Sequence, residues 1–355
     1  MPLALPVVWS DRHRLHEPGA EIWVGVRTPG TEVPARADEI RAELSSAGAR
    51  FVKAEPQPDD VLHGVHDPEL TAYLARAWED WDAAGLPDDP GQDRIVPYLF
   101  PDPSLFSGFA PTLATSRTAR AGQFAYDTMS LVGPGTWKAA RAAIDTAVTA
   151  AGLVAAGLSA AYALTRPPGH HATRSAFGGS CYLNNSAAAA ARLRRDTGAR
   201  VAVIDIDAHH GNGTQAIFWD DTDVLTGSVH VDPGAGWFPH FLGFASETGR
   251  DRSNRNLPLA PGSGDEPWLA AVGELAGWAR EAGAAALVVA LGVDAAAGDP
   301  ESPLQVSANG YRAAGRALGE LGLPTVVVQE GGYDLATIGA LVRETLEGLE
   351  EGMGA

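Results

Sequence analysis

Carboxylates and imidazoles recur in this chain at spacings that suit a divalent metal and proton transfer. The segment from Val201 to Gly213, VAVIDIDAHHGNG, sets Asp207 and His209 two residues apart at the end of an apolar run. In extended backbone such residues point to the same face. One hard oxygen and one imidazole nitrogen converging in this way suit zinc above other divalent metals. Alone, Asp-x-His reads more simply as a strand followed by a polar loop. Three other strand ends shift that balance: RPPGHHA carries His170 and His171, LGVDAAAGDP carries Asp294, and EGGY carries Tyr333. Asp294 can complete a ligand set with Asp207 and His209, and three protein ligands leave a position open for water, as a catalytic site requires. The tandem histidines offer a base near neutral pH. Tyr333, on the Gly331–Gly332 turn, offers a hydroxyl to a developing oxyanion. A metal that acidifies water and polarises a carbonyl, a base and an oxyanion donor together describe hydrolysis of an amide.

These side chains need a frame that brings strand ends together. The run Val201–Ile206 reads as a strand buried on both faces, the kind found in parallel sheets. Open α/β folds bind ligands at the carboxyl ends of such strands. Further strands are expected at 5–9, 160–165, 223–230, 287–293 and 325–329. Helices are expected at 36–48, 67–84, 136–157, 186–196, 267–282, 307–321 and from about 334 to 349. Strand and helix alternate from 160 onward, which predicts a mostly parallel sheet with helices on both faces. The stretches 10–35 and 85–113 read as long loops, rich in Gly, Pro and charge, of the kind that are usually functional or contact partners. No repeat or composition break divides the chain, so residues 1–355 are expected to form a single catalytic domain.

Composition narrows the partners. A formal net charge of −18 argues against binding a phosphate backbone and is compatible with cationic small molecules or with solubility alone. The single Cys181 excludes an internal disulfide framework and suits a reducing compartment. The N-terminal MPLALPVVWSDRH has no basic region or cleavage pattern of a signal peptide, and no apolar run is long enough to span a bilayer. A soluble cytoplasmic protein with neither nucleic-acid nor membrane partner is expected.

The motifs RPPGHHA, DIDAHHGNGT, LGVDAAAGDP and EGGY, in this order, resemble the zinc-dependent histone deacetylase superfamily. PGTW (134–137), FGGSCYLNN (177–185) and HVDP…FPHFLGFASETG (230–249) bring the resemblance closest to the bacterial acetylpolyamine amidohydrolases. It runs from about Val7 to Leu349. The resemblance implies the arginase–deacetylase fold, with Asp207, His209 and Asp294 as zinc ligands. It implies His171 as general base and acid, His170 as its electrostatic partner, and Tyr333 as the group polarising the scissile carbonyl. Asp205 and Asn212 match the residues that orient His170 and His171. It also implies a structural potassium held by Asp205, Asp207 and Ser228, with the backbone carbonyls of His209 and Val229. Iron(II) or cobalt(II) are alternatives to zinc in the cell. The long loops resemble elements that pair two subunits and narrow the entrance, implying a homodimer acting on a small acylated amine.

The chain departs from the family at two places. An aromatic residue usually precedes the Cys of the FGG-x-C motif and forms one tunnel wall. Here Gly179 is followed by Ser180, with Phe238 on the opposing wall and Trp237 beside it. Losing an aromatic surface implies a wider or more polar tunnel, open to bulkier N-acetylated compounds. The acid expected before Gly122-Gln123 is replaced by Ala121, and Glu21, or less directly Glu17, is the candidate to supply its charge. His16 and His240 are further candidates to line the pocket.

Rival chemistries fit less well. A papain-type nucleophile would need a Cys at Gly178 and a downstream His that 311–331 does not contain. No Gly-x-Ser-x-Gly elbow is present. A binuclear manganese ureohydrolase would need a second carboxylate just after Asp207-Ala208-His209, where His210-Gly211 stands. A protein acetyl-lysine deacetylase is the alternative within the same chemistry.

Overall fold

The computed structural model describes residues 3–110 and 112–354. Its ten strands are β1 (Val7–Trp9), β2 (Glu21–Trp23), β3 (Val26–Thr28), β4 (Phe51–Lys53), β5 (Ala160–Leu164), β6 (Val201–Asp205), β7 (Val224–Val231), β8 (Asn254–Leu259), β9 (Ala286–Leu291) and β10 (Thr325–Gln329). Eight form one sheet in the order β4-β1-β5-β10-β9-β6-β7-β8, with every neighbouring pair parallel. The expected parallel α/β architecture is therefore present. β5, β10, β9 and β6 are contiguous at its centre, and each precedes one of the chemistry-bearing segments. That adjacency makes a shared site possible.

All residues of these four strands are buried, as their unbroken apolar runs demand. Alternate residues point to opposite faces. Ala202 and Ile204 pack in one core layer with Trp268, Leu275 and Val342, whereas Val201 and Val203 pack in the other with Ile144, Val148 and Leu193. The helix Asn185–Thr197 starts at Asn184, whose side chain accepts the Ala187 amide, and stops at Gly198 in the left-handed region (φ 67°). Helices Ala308–Gly319 and Ile338–Met353 approach so closely that a Cβ on Gly348 would lie 2.0 Å from the Arg312 carbonyl oxygen.

Three features differ from the sequence reading. The 10–35 stretch is not structureless: it holds a short 3-10 helix (Asp11–Leu15) and the antiparallel β2–β3 hairpin. The hairpin turn is Val24-Gly25, with φ 50° and 77°. Positive φ at both positions is the geometry of a tight two-residue hairpin, but Val is a rare choice there, so the usual turn signal is missing. β4 and β8 are the sheet's edge strands and lack an apolar run. β8, NRNLPL, buries Asn254 and Asn256 and carries Pro258, which an edge tolerates. Within 85–113 the described residues form loop, turns and a 3-10 helix, Pro103–Phe106; a further helix, Arg117–Phe124, follows.

A buried charge network ties the N-terminal segment to the central strands. Glu32 accepts hydrogen bonds from Arg166 Nη2 and Arg36 Nη1, both at 2.9 Å. All three residues are at most 2% exposed. Burial opposes ionisation of Glu32, but the two guanidiniums outweigh it and hold the carboxyl below its usual range. Arg36 also donates to the carbonyl oxygens of Gly332 (2.5 Å) and Glu330 (2.7 Å), and its guanidinium lies 4.5 Å from the Tyr333 ring centroid. Arg166 donates to the carbonyls of His13 (2.6 Å) and His16 (2.9 Å). Glu32→Ala leaves two guanidiniums buried without their carboxylate and is expected to cost about 3–5 kcal/mol. Urea unfolding followed by circular dichroism measures this; a loss below about 1 kcal/mol would contradict the network's role.

Candidate metal-dependent active site

β6 ends at Asp205, and the chain then turns so that Asp207 and His209 face the end of β9. Ligand-capable atoms of Asp207, His209 and Asp294 lie within 4.8 Å of one another. His209 Nδ1 is 3.3 Å from Asp207 Oδ1 and 3.2 Å from Asp294 Oδ2. Its Nε2 lies 3.1 Å from the backbone oxygen of Glu301. Donation there places the ring proton on Nε2 and leaves the Nδ1 lone pair aimed between the carboxylates. Backbone amides hold each carboxylate: Gly331 N–H donates to Asp207 Oδ2 (2.7 Å) and Ala208 N–H to Asp294 Oδ1 (2.7 Å). A Cβ on Gly331 would lie 2.2 Å from Asp294 Oδ2 and 2.5 Å from Asp207 Oδ2, so only glycine lets β10 approach. Burial alone would keep His209 neutral, but Asp207 and Asp294 outweigh it and push its affinity for a proton well above the ordinary value. Two buried carboxylates competing for positive charge, with an imidazole lone pair between them, fit a divalent cation.

The tandem histidines follow β5. His170 Nδ1 is 2.8 Å from Asp205 Oδ2, and His171 Nδ1 is 2.7 Å from Asn212 Oδ1. Burial disfavours charge on His170, but Asp207 and Asp205 overcome it and raise its pKa to about 10. His171 is pushed the other way, well below the ordinary range, by burial and then by the neighbouring His170 and His209. With Asn212 Oδ1 accepting from Nδ1–H, the basic Nε2 of a neutral His171 is free. The two rings are 3.9 Å apart between centroids. Asp205 also pairs with Ser228 in the β6–β7 register. Ser228 Oγ is 2.8 Å from His230 Nδ1, whose Nε2 is 2.8 Å from the Gly243 carbonyl oxygen. The Ser228 hydroxyl therefore donates to His230.

His171, His209 and Tyr333 open on a cavity of about 530 Å³. Glu21, Gly179, Ser180, Trp237 and Phe238 line it, as does His240. Gly179 (φ 57°) has no room for a side chain, since a Cβ would lie 2.5 Å from His171 Cδ2 and 3.0 Å from Phe238 Cε1. Phe238 stands edge-on to His171, with centroids 4.8 Å apart. Burial, reinforced by Glu301 and Asp127, pushes the Glu21 carboxyl up to about 7. Burial likewise keeps the Tyr333 phenol protonated, raising it well above its ordinary value despite Arg36. His16 does not line the cavity: it is buried against Thr136 (3.0 Å) and lowered to about 3 by burial. Glu17 and Ala121 are not among the lining residues, and Ala121 is buried within its helix.

Sequence reasoning missed two acids that build this site. Asp299 accepts the amides of Tyr333 (2.8 Å), Asp334 (3.2 Å) and Glu301 (3.0 Å), so it shapes the turn that carries Tyr333. Glu301 lines the cavity beside Glu21. Asp299 lies at the end of the LGVDAAAGDP motif and Glu301 directly follows it, where the available signal was only a polar turn. Among the described residues one other group has metal-ligand spacing, His170, Cys181 and Glu330. Two of its members are engaged: His170 Nδ1 by Asp205, and Glu330 by Ser186 Oγ (2.6 Å) and the amides of Gly169 (2.6 Å) and His170 (3.0 Å). A two-metal ureohydrolase centre is not assembled among the described residues.

Residues 30–349 match the family described as histone deacetylase domain. The chain is 36% identical over 347 residues to an acetylpolyamine amidohydrolase of Mycoplana ramosa, covering 97% of this chain and 99% of that protein. It is 38% identical over 354 residues to acetylpolyamine amidohydrolase 1 of Pseudomonas aeruginosa, covering 97% and 98%. The crystal structure of an acetylpolyamine aminohydrolase from Burkholderia pseudomallei superposes with a TM-score of 0.92 at 34% identity, covering 98% of this chain and 99% of that one. With the family match spanning most of its length and relatives above 30% identity end to end, this chain belongs to the histone deacetylase family.

Proposed function

We propose that this protein is a metal-dependent amidohydrolase, its residues 1–355 acting as one catalytic domain, that removes the acetyl group from a small amine of the acetylpolyamine class. One observation carries the reading: a cluster of metal-capable ligands, reached through His209, meets a free imidazole nitrogen and a protonated phenol at one cavity. Zinc suits the two-carboxylate, one-imidazole set of Asp207, His209 and Asp294, and iron(II) or cobalt(II) are alternatives for it. When bound there, the metal supplies Lewis acidity, polarising the carbonyl and making water a better nucleophile. Potassium suits the oxygen-rich neighbourhood of Asp205, Asp207, Ser228 and the His209 and Val229 carbonyls.

The residues divide the proton work. Neutral His171 takes a proton from the attacking water through Nε2 as the new C–O bond forms. Asn212 holds Nδ1–H and thereby fixes the ring. His170, charged against Asp205, repels a proton from His171 at rest. Tyr333 donates its O–H to the carbonyl oxygen as that oxygen gains charge. His171 then passes its proton to the departing nitrogen as the C–N bond breaks, leaving a carboxylic acid and an amine. His171→Ala and Tyr333→Phe should each lower kcat by about 100-fold or more, with metal content by elemental analysis unchanged. Near-normal turnover of acetylputrescine by both variants would sink the assignment.

Relatives named for acetylpolyamines support a small cationic amine, and Glu21 in the cavity wall supports it independently. A bulkier N-acetylated metabolite is the second reading, favoured by Ser180, which lines the cavity where an aromatic wall is expected. Ser180 has φ 61°, so the backbone there tolerates substitution at some strain. Ser180→Phe should narrow the tunnel, lowering kcat/KM for branched N-acetyl compounds relative to acetylputrescine by about tenfold. An unchanged ratio would show that Ser180 does not set the width.

We also propose a homodimer. The β2–β3 hairpin and the segment after Pro97 expose Trp23, Val26, Tyr98 and Phe109, each more than 60% accessible, and large apolar side chains left exposed favour association. No helix among the described residues is long and apolar enough to cross a membrane. A cytoplasmic location accords with the single free cysteine. Sedimentation velocity should give a dimer that Trp23→Ser with Phe109→Ser dissociates; a wild-type monomer at micromolar concentration would refute this.

A further inference from the structure

We propose that Glu330 positions the tandem histidines, its carboxylate fixing the backbone from which His170 and His171 reach the reacting atoms; this rests on the function proposed above. Glu330 directly follows β10 and is fully buried. Its Oε2 accepts two consecutive amides of the segment after β5, Gly169 N–H at 2.6 Å and His170 N–H at 3.0 Å. Consecutive amides turned toward one oxygen form a nest for an anion. Oε1 accepts the Ser186 hydroxyl at 2.6 Å, so the helix Asn185–Thr197 holds the carboxylate in that orientation. All three donors are neutral, and these bonds therefore organise backbone rather than pair charges.

The helix that carries Asn212 grips the tandem from the other side. Thr214 N–H donates to the His170 carbonyl oxygen at 3.1 Å, and Asn212 Oδ1 takes the His171 ring. With its amide and its carbonyl both held, His170 gives the two imidazoles a fixed origin. Gly169 leaves no slack, since a Cβ there would lie 2.4 Å from the Asn185 amide nitrogen and 2.8 Å from the Leu183 carbonyl oxygen. The turn that supplies Glu330 also serves the other reacting groups: Gly331 N–H donates to Asp207, and Tyr333 stands two residues further on. Through Glu330, one short turn thus sets base, ligand carboxylate and phenol relative to one another. A base misplaced by about 1 Å can cost about 100-fold in rate. That cost falls on turnover, because Glu330 does not line the cavity that receives the substrate.

The test replaces Glu330 by methionine, which fills similar space without carboxylate oxygens. For Glu330→Met, kcat on acetylputrescine should fall at least about tenfold with KM within about twofold and zinc stoichiometry unchanged. Glu330→Gln keeps an oxygen for the two amides and turns its NH2 toward Ser186 Oγ, so it should recover kcat to within about threefold of the wild type. A readout independent of turnover is the low-field Nδ1–H proton resonances of His170 and His171, followed in metal-free protein containing isotope-labelled histidine. Both should shift or broaden in Glu330→Met and return in Glu330→Gln. Should the methionine variant not fold, Glu330→Asp takes its place: one methylene shorter, it cannot span the amides and Ser186 together, and the same losses are expected. Unchanged kcat or unchanged resonances overturn the proposal, as does a loss expressed in KM or zinc content, or a glutamine variant as impaired as the methionine one. If the wild type hydrolyses nothing while both resonances still respond to Glu330, the proposed reaction fails and the positioning role stands.

Discussion

Uncompensated negative charge at one sheet edge is the constraint around which this molecule is arranged. Asp205, Asp207 and Asp294 are each at most 3% exposed and lie at the ends of the neighbouring strands β6 and β9. Isolated carboxylates in such a place are costly, and the structure answers with aligned amides, with imidazoles, and with a geometry that admits a cation. The glycines at 292 and 331 exist for the same reason: a Cβ on Gly292 would lie 2.0 Å from Asp207 Oδ2. Close backbone approach is what lets the Gly331 amide, just beyond β10, donate to Asp207 instead of an apolar side chain covering the carboxylates.

Positive charge is kept nearby but separate. Arg36 and Arg166 satisfy Glu32 and backbone carbonyls rather than the ligand carboxylates, so they brace the EGGY turn without neutralising the centre. Because Arg36 lies beside the Tyr333 ring and binds the carbonyls on either side of Gly331, the phenol is placed by the same network that links the N-terminal segment to β10. His170 and His171 divide along the same line. The carboxylate partner Asp205 favours charge on one, and the amide partner Asn212 leaves the other free to stay neutral. Identical side chains, adjacent in sequence, are driven to opposite protonation states: Asp207 and Asp205 overcome burial at His170, whereas burial and the neighbouring His170 and His209 keep His171 neutral.

The central strands and the residues at their ends were legible in the sequence because burial on both faces leaves an unmistakable apolar run, and because Asp-x-Asp-x-His can only present a few side chains together. Seven helices were legible to within a few residues for the same reason of periodicity. What escaped was held by interactions with no local signature. The β2–β3 hairpin turns on Val24-Gly25 rather than on a favoured turn pair, and β8 is stabilised by Gln215 Oε1 accepting from Asn254 and Asn256 (both 2.9 Å). Glu32, Asp299 and Glu301 look like surface acids in the sequence. Only the fold brings Glu32 between two guanidiniums, and Glu301 within reach of Thr31, 270 residues away.

In the proposed chemistry one divalent cation, held by Asp207, His209 and Asp294, enables amide hydrolysis by His171 and Tyr333. The most direct measurement adds zinc in fractions of an equivalent to metal-free protein and follows acetate release from acetylputrescine. Activity should rise in proportion to zinc and saturate at one equivalent per chain, with Asp294→Ala abolishing both tight zinc binding and turnover. Saturation only at two equivalents, or full turnover in metal-free protein, would contradict it.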